Sequence, residues 1–203
     1  PDKKLYLYAN PNEEEPPSQE LPLSEDIDYE EGQFAENADA NFILADYNFD
    51  GYRDVAVVSS SGANNIWHEI HLFDMASGKF VLNNEVSRLT SVRVDSVGKV
   101  LHYHDNGGMA GAWYADGIIQ WIKGVPVTIR EEEQTSDADH EEIFIRTIRV
   151  RGTDGQLKVA SVVQIAQGAS GNELQCLLEG EWTEFDKNPR LIYADSQDKV
   201  IRA

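Results

Sequence analysis

The sequence predicts an all-β chain, mostly antiparallel and assembled from short hairpins. Two observations lead there. Apolar runs of roughly four to eight residues, many with period-two alternation, recur at roughly 8–12-residue spacing between Gly-, Asp-, Asn- and Ser-rich turns. Almost no segment shows the 3.6-residue period of an amphipathic helix. Such spacing fits a sandwich, a barrel or a propeller of hairpins. At 203 residues the chain is expected to form one domain, 1–203, large enough to bury a core without disulfides.

The elements follow in order. Lys4 to Tyr8 reads as a short strand. Residues 11–31 hold four of the seven prolines and a dense set of carboxylates, and Glu13-Glu14-Glu15-Pro16-Pro17 can be neither helix nor central strand, so this part is expected as an acidic, extended loop or arm. Phe42 to Ala45 and Asp54 to Ser59 are strands flanking a polar loop. Trp67 to Phe73 alternates, turns over Asp74 to Lys79 and resumes at Phe80 to Leu82. Glu85 to Leu89 fits one helical turn. Val92 to Asp95 turns at Ser96 to Gly98 into Val100 to His104. Ala112 to Lys123 is expected as a hairpin turning at Asp116-Gly117, because Asp-Gly is a strong turn signal. Residues 131–142, which open on three consecutive glutamates, are expected as an acidic loop. Residues 143–203 supply additional strands at Ile143 to Arg151, Leu157 to Ala166 and Leu174 to Glu179.

Charge narrows the partners. There are 36 Asp and Glu against 17 Lys and Arg, a formal charge of -19, and Leu5 to Gly51 contains no base at all. Nucleic acid is excluded as a partner, since phosphate binding needs clustered Lys and Arg. Anionic membrane surfaces are disfavoured for the same reason. A cation or a basic protein is favoured. No apolar run approaches the roughly 20 residues that span a bilayer, so no membrane insertion is expected. The chain begins at Pro1 with no charged-then-apolar leader, which fits a mature form whose signal peptide has been removed. The single cysteine, Cys176, sits in Leu174-Gln175-Cys176-Leu177-Leu178 and reads as an inert core thiol.

One motif is sharp. Asp46-Tyr47-Asn48-Phe49-Asp50-Gly51-Tyr52-Arg53-Asp54 has the form D-x-N-x-D-G-x-x-D. Counting Asp46 as the first position, oxygen side chains fall at the first, third, fifth and ninth, with Gly51 where a calcium loop turns sharply and Tyr52 where it offers a backbone carbonyl. Calcium takes six or more oxygens, and alternate residues of a tight loop deliver them. Asp46, Asn48, Asp50, Tyr52 and Asp54 are therefore the expected ligand set. The twelfth position is Val57, so the loop is not a full EF-hand, and it lies between strands.

The order of segments around this loop carries a resemblance. After Phe42 to Asp54 come Val55 to Ser61 and Gly62, then His71-Leu72-Phe73-Asp74 with Ser77-Gly78-Lys79-Phe80. These are followed by His104-Asp105-Asn106-Gly107-Gly108-Met109-Ala110-Gly111-Ala112-Trp113-Tyr114 and by Gln120-Trp121-Ile122-Lys123-Gly124. Residues 41–130 resemble a bacterial periplasmic family of lysozyme inhibitors and immunity proteins with an FG-GAP-like calcium loop. The resemblance implies a propeller-like fold, calcium in the Asp46–Asp54 loop, and a non-enzymatic protein of the periplasm that blocks a peptidoglycan-degrading effector or hydrolase. It implies a recognition loop at Ser61, Gly62, Ala63, Asn64 and Asn65, preceded by Ser60, or at Asn106, Gly107, Gly108 and Met109. Periplasmic lysozyme inhibitors often carry Ser-Gly-x-x-Tyr. Here Ser61-Gly62 is followed by Asn65 in the Tyr place, with Trp67 two further on, which points to a specific effector enzyme over lysozyme itself.

Two other constellations have a functional reading beside a bland one. His102 and His104, with His68 and His71 on a neighbouring strand, could gather zinc, with Asp105 or Asp116 completing the set. Surface histidines on a hairpin are the simpler reading. Trp113, Tyr114 and Trp121 could form a sugar-stacking platform, making the alternative function a calcium-stabilised carbohydrate-binding module of the envelope; aromatics on hairpins are more often core. No G-x-S-x-G elbow, Rossmann fingerprint or phosphate loop occurs, and no enzymatic activity is expected.

Overall fold

In a computed structural model of the protein, residues 4–8, 16–23, 42–62, 64–138, 140 and 143–167 are described, together with strands at 173–178, 192–194 and 200–202. The described strands pair mostly antiparallel. A hairpin of β1 (Lys4–Leu7) and β2 (Gln19–Pro22) forms its own two-stranded sheet in addition to two larger ones, with the Gln19 amide bonded both ways to the Phe80 backbone at 2.8 Å. The first has the order β3-β4-β5-β6, with β3 Phe42–Ala45, β4 Asp54–Gly62, β5 Asn65–Asp74 and β6 Lys79–Leu82. The second runs from β7 (Arg93–Asp95) through β8 (Val100–Gly108), β9 (Trp113–Ile122), β10 (Val125–Ser136), β11 (Ile143–Arg151), β12 (Leu157–Gln167), β13 (Glu173–Leu178) and β14 (Ile192–Ala194) to β15 (Val200–Arg202). The all-β expectation holds. Among the described residues the sheets are open, without closure into a barrel or propeller.

The chain divides into two compact units, Pro1–Tyr103 with Gln120–Pro126 and His104–Ile119 with Val127–Ala203. In the first, β4 is the centre. Val55, Ala56 and Val57 are successive and all buried, so both faces of this strand are covered, which is why the run reads as continuous β-branched and small apolar residues without alternation. Ile70 of β5, Val86, Tyr47, Leu21, Val92 and Leu101 are buried in the same unit. Val86 lies in the one-turn helix α1 (Asn84–Ser87), capped by Asn83, whose side-chain oxygen accepts from the Val86 N–H at 3.0 Å. In the second unit the buried apolar side chains among the described residues are Ile119, Phe144, Val162 and Ile165.

Three expectations change. Asp116-Gly117 is not a turn: both residues lie inside β9, and the reversal comes at Lys123-Gly124, two consecutive positive-φ residues of the kind a tight two-residue hairpin needs. Asp116 has another partner, His104, at 2.8 Å. Residues 131–136 are not an acidic loop, because β10 runs on to Ser136. Its glutamates meet arginines: Glu131 stands opposite Arg149 in register, the Arg149 guanidinium lies 3.6 Å from Glu131 and 3.0 Å from Glu133, and Arg130 lies 2.7 Å from Glu132. Cross-strand opposite charges stabilise such a pairing. Within the Pro-rich stretch, Gln19 to Pro22 is strand β2 in place of a free arm, with Lys4 bonded to Glu20 at 2.8 Å. Residues 11–15 and 24–31 of that stretch lie outside the described residues.

Candidate functional site

The Asp46–Asp54 loop is built by its own side chains. Phe49 and Gly51 adopt positive φ, 61° and 93°, which curls the backbone and turns its N–H groups inward. The Asp50 N–H is shared at 3.1 Å by the Asp46 and Asn48 side-chain oxygens, the Gly51 N–H goes to the second Asp46 oxygen at 2.9 Å, and the Tyr52 N–H goes to Asp50 at 2.8 Å. The Asn48 amide donates to the other Asp50 oxygen at 2.8 Å. The oxygens of Asp46, Asn48 and Asp50 thus all serve hydrogen bonds inside the turn.

Asp54 behaves differently. It is fully buried, and its two oxygens accept from the Tyr47 N–H at 2.7 Å and the Phe73 N–H at 2.9 Å. Burial pushes its carboxyl above the ordinary range, outweighing the two N–H bonds that favour the charged form. Burial, and then the Asp54 charge, push the Tyr47 phenol up to about 12. Asp54 therefore ties the loop to β5. Its spacing in the motif hid this role, because a ninth-position Asp reads equally well as a cation ligand. Asp54 is committed to backbone donors, and the side-chain oxygens of Asp46, Asn48 and Asp50 likewise accept N–H groups within the turn. Among the described residues, no three His, Cys, Asp or Glu side chains gather as a metal-holding group.

The first recognition segment lies at the far end of β4. Ser61 and Gly62 are the last residues of β4, and Asn65 is the first of β5, paired with Gly62. The segment is therefore the tip of a hairpin whose connection is Ala63-Asn64. Asn64 has φ 68°, and Ala63 lies outside the described residues. Ser60, Ser61, Gly62 and Asn64 are exposed, whereas Asn65 is buried. A bulge at Ser59 twists the strand just before the tip.

The second segment, in the other unit, is not a loop over its first three residues: Asn106, Gly107 and Gly108 extend β8. The chain then makes a left-handed turn, with positive φ at Gly108, Met109, Ala110 and Gly111 in succession. Two of these are not glycine, so the turn is strained. It presents Met109, which is 54% exposed.

The competing constellations do not assemble. His68 and His71 are three residues apart on β5 and so face opposite sides of the sheet. Both are buried, which lowers their pKa values. His102 pairs with Asp95 at 3.9 Å and His104 with Asp116 at 2.8 Å, each at a half-exposed surface. Trp113 and Tyr114 are consecutive on β9 and cannot share a face. The Trp121 indole N–H is fixed on the Tyr47 carbonyl at 2.7 Å. The residues that sequence reasoning missed are those of a polar network in the second unit. Tyr114 donates to Glu132 at 3.0 Å, and buried Gln134 donates to the Ala112 carbonyl while accepting from the Arg146 guanidinium. Burial would raise Glu132, but Arg130 and Tyr114 hold its carboxyl below the ordinary range.

No family model matches the chain, and no curated protein does. A solved chain described as "Structure of a Xanthomonas Type IV Secretion System related protein" is 23% identical, aligned over 60% of this chain with a TM-score of 0.48. The present chain spans 58% of the length of that one. Among the described residues, no helix is long and apolar enough to cross a membrane.

Proposed function

We propose that this chain is a non-enzymatic immunity or inhibitor protein of the bacterial periplasm, that it blocks a peptidoglycan-degrading effector, and that calcium in the Asp46–Asp54 loop is structural. The observation that carries the reading is the β4–β5 hairpin. The start of β4, Asp54 to Val57, is buried and anchors the hairpin, and its tip exposes Ser60, Ser61, Gly62 and Asn64 beside the apolar Ile66. A narrow projection of that kind can enter an open cleft, and enzymes that cut glycans pair carboxylates in such clefts. The formal charge of -19 would speed encounter with a basic hydrolase. Calcium, when bound, would neutralise Asp46 and Asp50 and hold the turn closed; Asn48 and the Tyr52 carbonyl would share it.

The test is capture of proteins from a periplasmic extract on the immobilised chain, with Gly62→Trp as the comparison. Recovery of a cell-wall hydrolase whose activity falls on binding, and its loss with Gly62→Trp, is the expected result. A Cβ at Gly62 would meet nothing within 4 Å, and an unchanged circular dichroism spectrum of the variant verifies its fold. Binding to polysaccharide alone, with no hydrolase recovered, would favour a carbohydrate-binding module instead.

A further inference from the structure

Beside the Asp46–Asp54 loop, on the first unit, lies a groove of about 450 Å³. Its walls come from Asn48 and Asp50 on one side and from the end of β5, the β5–β6 turn and β6 on the other. Three of the lining side chains are large, apolar and exposed: Met75 at 68%, Val81 at 53% and Leu82 at 41%. Leu72, which pairs with Val81, and Phe73 also line it, from opposite faces of β5. Tyr52, also exposed, reaches over and donates its hydroxyl to the Met75 sulfur at 2.9 Å, so the loop and the turn meet there. Scattered exposed apolar residues are ordinary, but several lining one concavity mark an interaction site.

The charges around the groove choose its occupant. Asp50 and Asp74 are both exposed at it, and among the described residues no Lys or Arg lines it; Lys79, paired with Asp74 across the turn, is outside the lining. Asp74 is fixed by its own turn: it accepts from the Ala76 N–H, the Ser77 N–H and the Ser77 hydroxyl at 2.6–3.2 Å. It therefore presents negative charge in a fixed place. An occupant that fits must carry a positive head on an apolar stem, which is the form of Lys and Arg side chains. A second copy of this chain, with its charge of -19, is the wrong sign.

We propose that this groove docks an extended basic segment of a partner protein, laying apolar side chains on Met75 and Val81 and a Lys or Arg head toward Asp74, whose charge remains when calcium neutralises Asp50. This surface is separate in kind from the small-residue hairpin tip and stands whether or not the partner is a hydrolase. Flexible Met75 suits it to a surface that must adapt.

The test is a nuclear magnetic resonance titration of the full chain with three blocked peptides: one alternating Leu with Arg, one alternating Gly with Arg, and one alternating Leu with Glu. The expected result is saturable shifts confined to residues 72–83 and to Asn48 and Asp50 with the Leu-Arg peptide. Affinity should drop about fivefold or more with either alternative peptide, with Val81→Ser and with Asp74→Asn. Val81 is exposed and Asn keeps an acceptor for the turn, and an unchanged spectrum of each free variant verifies its fold. Equal binding of the Gly-Arg peptide, shifts spread over the acidic surface, or indifference to Val81→Ser would overturn the proposal. So would concentration-dependent dimerisation through the groove, seen by sedimentation without peptide.

Discussion

Asp54→Ala should destabilise the first unit by about 3 kcal/mol. The residue is fully buried and serves two backbone donors, Tyr47 N–H at 2.7 Å and Phe73 N–H at 2.9 Å. A hydrogen bond to a charged acceptor contributes about 1.5–3 kcal/mol, and a buried donor left without one costs a similar amount. Tyr47 is itself buried, so water cannot readily replace the acceptor there. Part of the loss is offset, because the variant no longer buries a carboxylate against its solvation. Asp54→Asn keeps one oxygen for one donor and should lose about half as much. The assay is urea unfolding followed by tryptophan emission. With a slope of about 2 kcal/mol/M, the Ala variant moves the midpoint by about 1.5 M and the Asn variant by roughly half that. Hydrogen exchange gives a local readout, since the Tyr47 and Phe73 amides should lose protection first. A midpoint shift below about 0.25 M for Asp54→Ala, with both amides still protected, would refute the assignment of Asp54 as the clamp.

Calcium at about a hundredfold over its dissociation constant should raise stability by about 2.7 kcal/mol, and Asp50→Ala should abolish that increment; identical melting of the native chain with and without chelator would sink the structural-ion reading. Acidification should weaken the fold from about pH 6.5 downward. Burial holds His68 and His71 below their ordinary pKa, so the unfolded chain binds more protons in that window and stability falls as pH falls. Asp54, shifted upward, acts in the opposite direction, and only in the window beginning above 3.8. Urea midpoints between about pH 7.5 and pH 5 should show this slope, and His71→Leu should flatten it; a flat native profile counts against burial of the neutral rings. At the left-handed turn, Ala110→Gly should gain up to about 1 kcal/mol, because φ is 55° there. Gly108→Ala should cost about 1–3 kcal/mol, because φ 114° with ψ -154° is glycine territory. Thermal melting that moves both variants the same way would contradict the strain.

The strands were legible wherever apolar alternation met a turn whose chemistry had no competing partner. Phe42 to Ala45 and Ile143 to Arg151 have the boundaries their patterns give. The turns at Asp74 and Asp95 were legible because their carboxylates serve the N–H groups two and three residues on, a bond made entirely within the turn. Asp116-Gly117 carried the same local signal, but Asp116 bonds to His104 on another strand, and no local pattern contains that partner. The glutamates of β10 failed for the same reason. Read alone they repel, whereas Arg146 and Arg149 of β11 place positive charge among them. In the candidate site, the inward-turned oxygens of Asp46, Asn48 and Asp50 could be read from spacing, since each bonds within five residues. The Asp54 bond to Phe73 spans 19 residues and depends on how β4 and β5 align.

Asp54 is both the last residue of the loop motif and the first of β4, and this double place decides how an ion in the loop would act on the rest of the unit. The small-residue tip lies eight residues further along the same strand, roughly 25 Å away at about 3.3 Å per residue. No side chain of the loop can reach it. Whatever stiffens the loop passes first through the Asp54 carboxylate to the Tyr47 and Phe73 amides, and Phe73 packs on Tyr52 and Phe80 with ring centroids 5.5 and 5.3 Å away. That route leads into the β5–β6 end of the sheet, where Met75, Val81 and Leu82 lie, and away from Ser61 and Gly62. The tip is instead held by the pairing of β4 with β5, which needs no cation. Structural calcium would then matter to the stability of the whole unit and to the shape of the groove beside it, while the hairpin tip keeps its form through backbone pairing and the buried valines of β4.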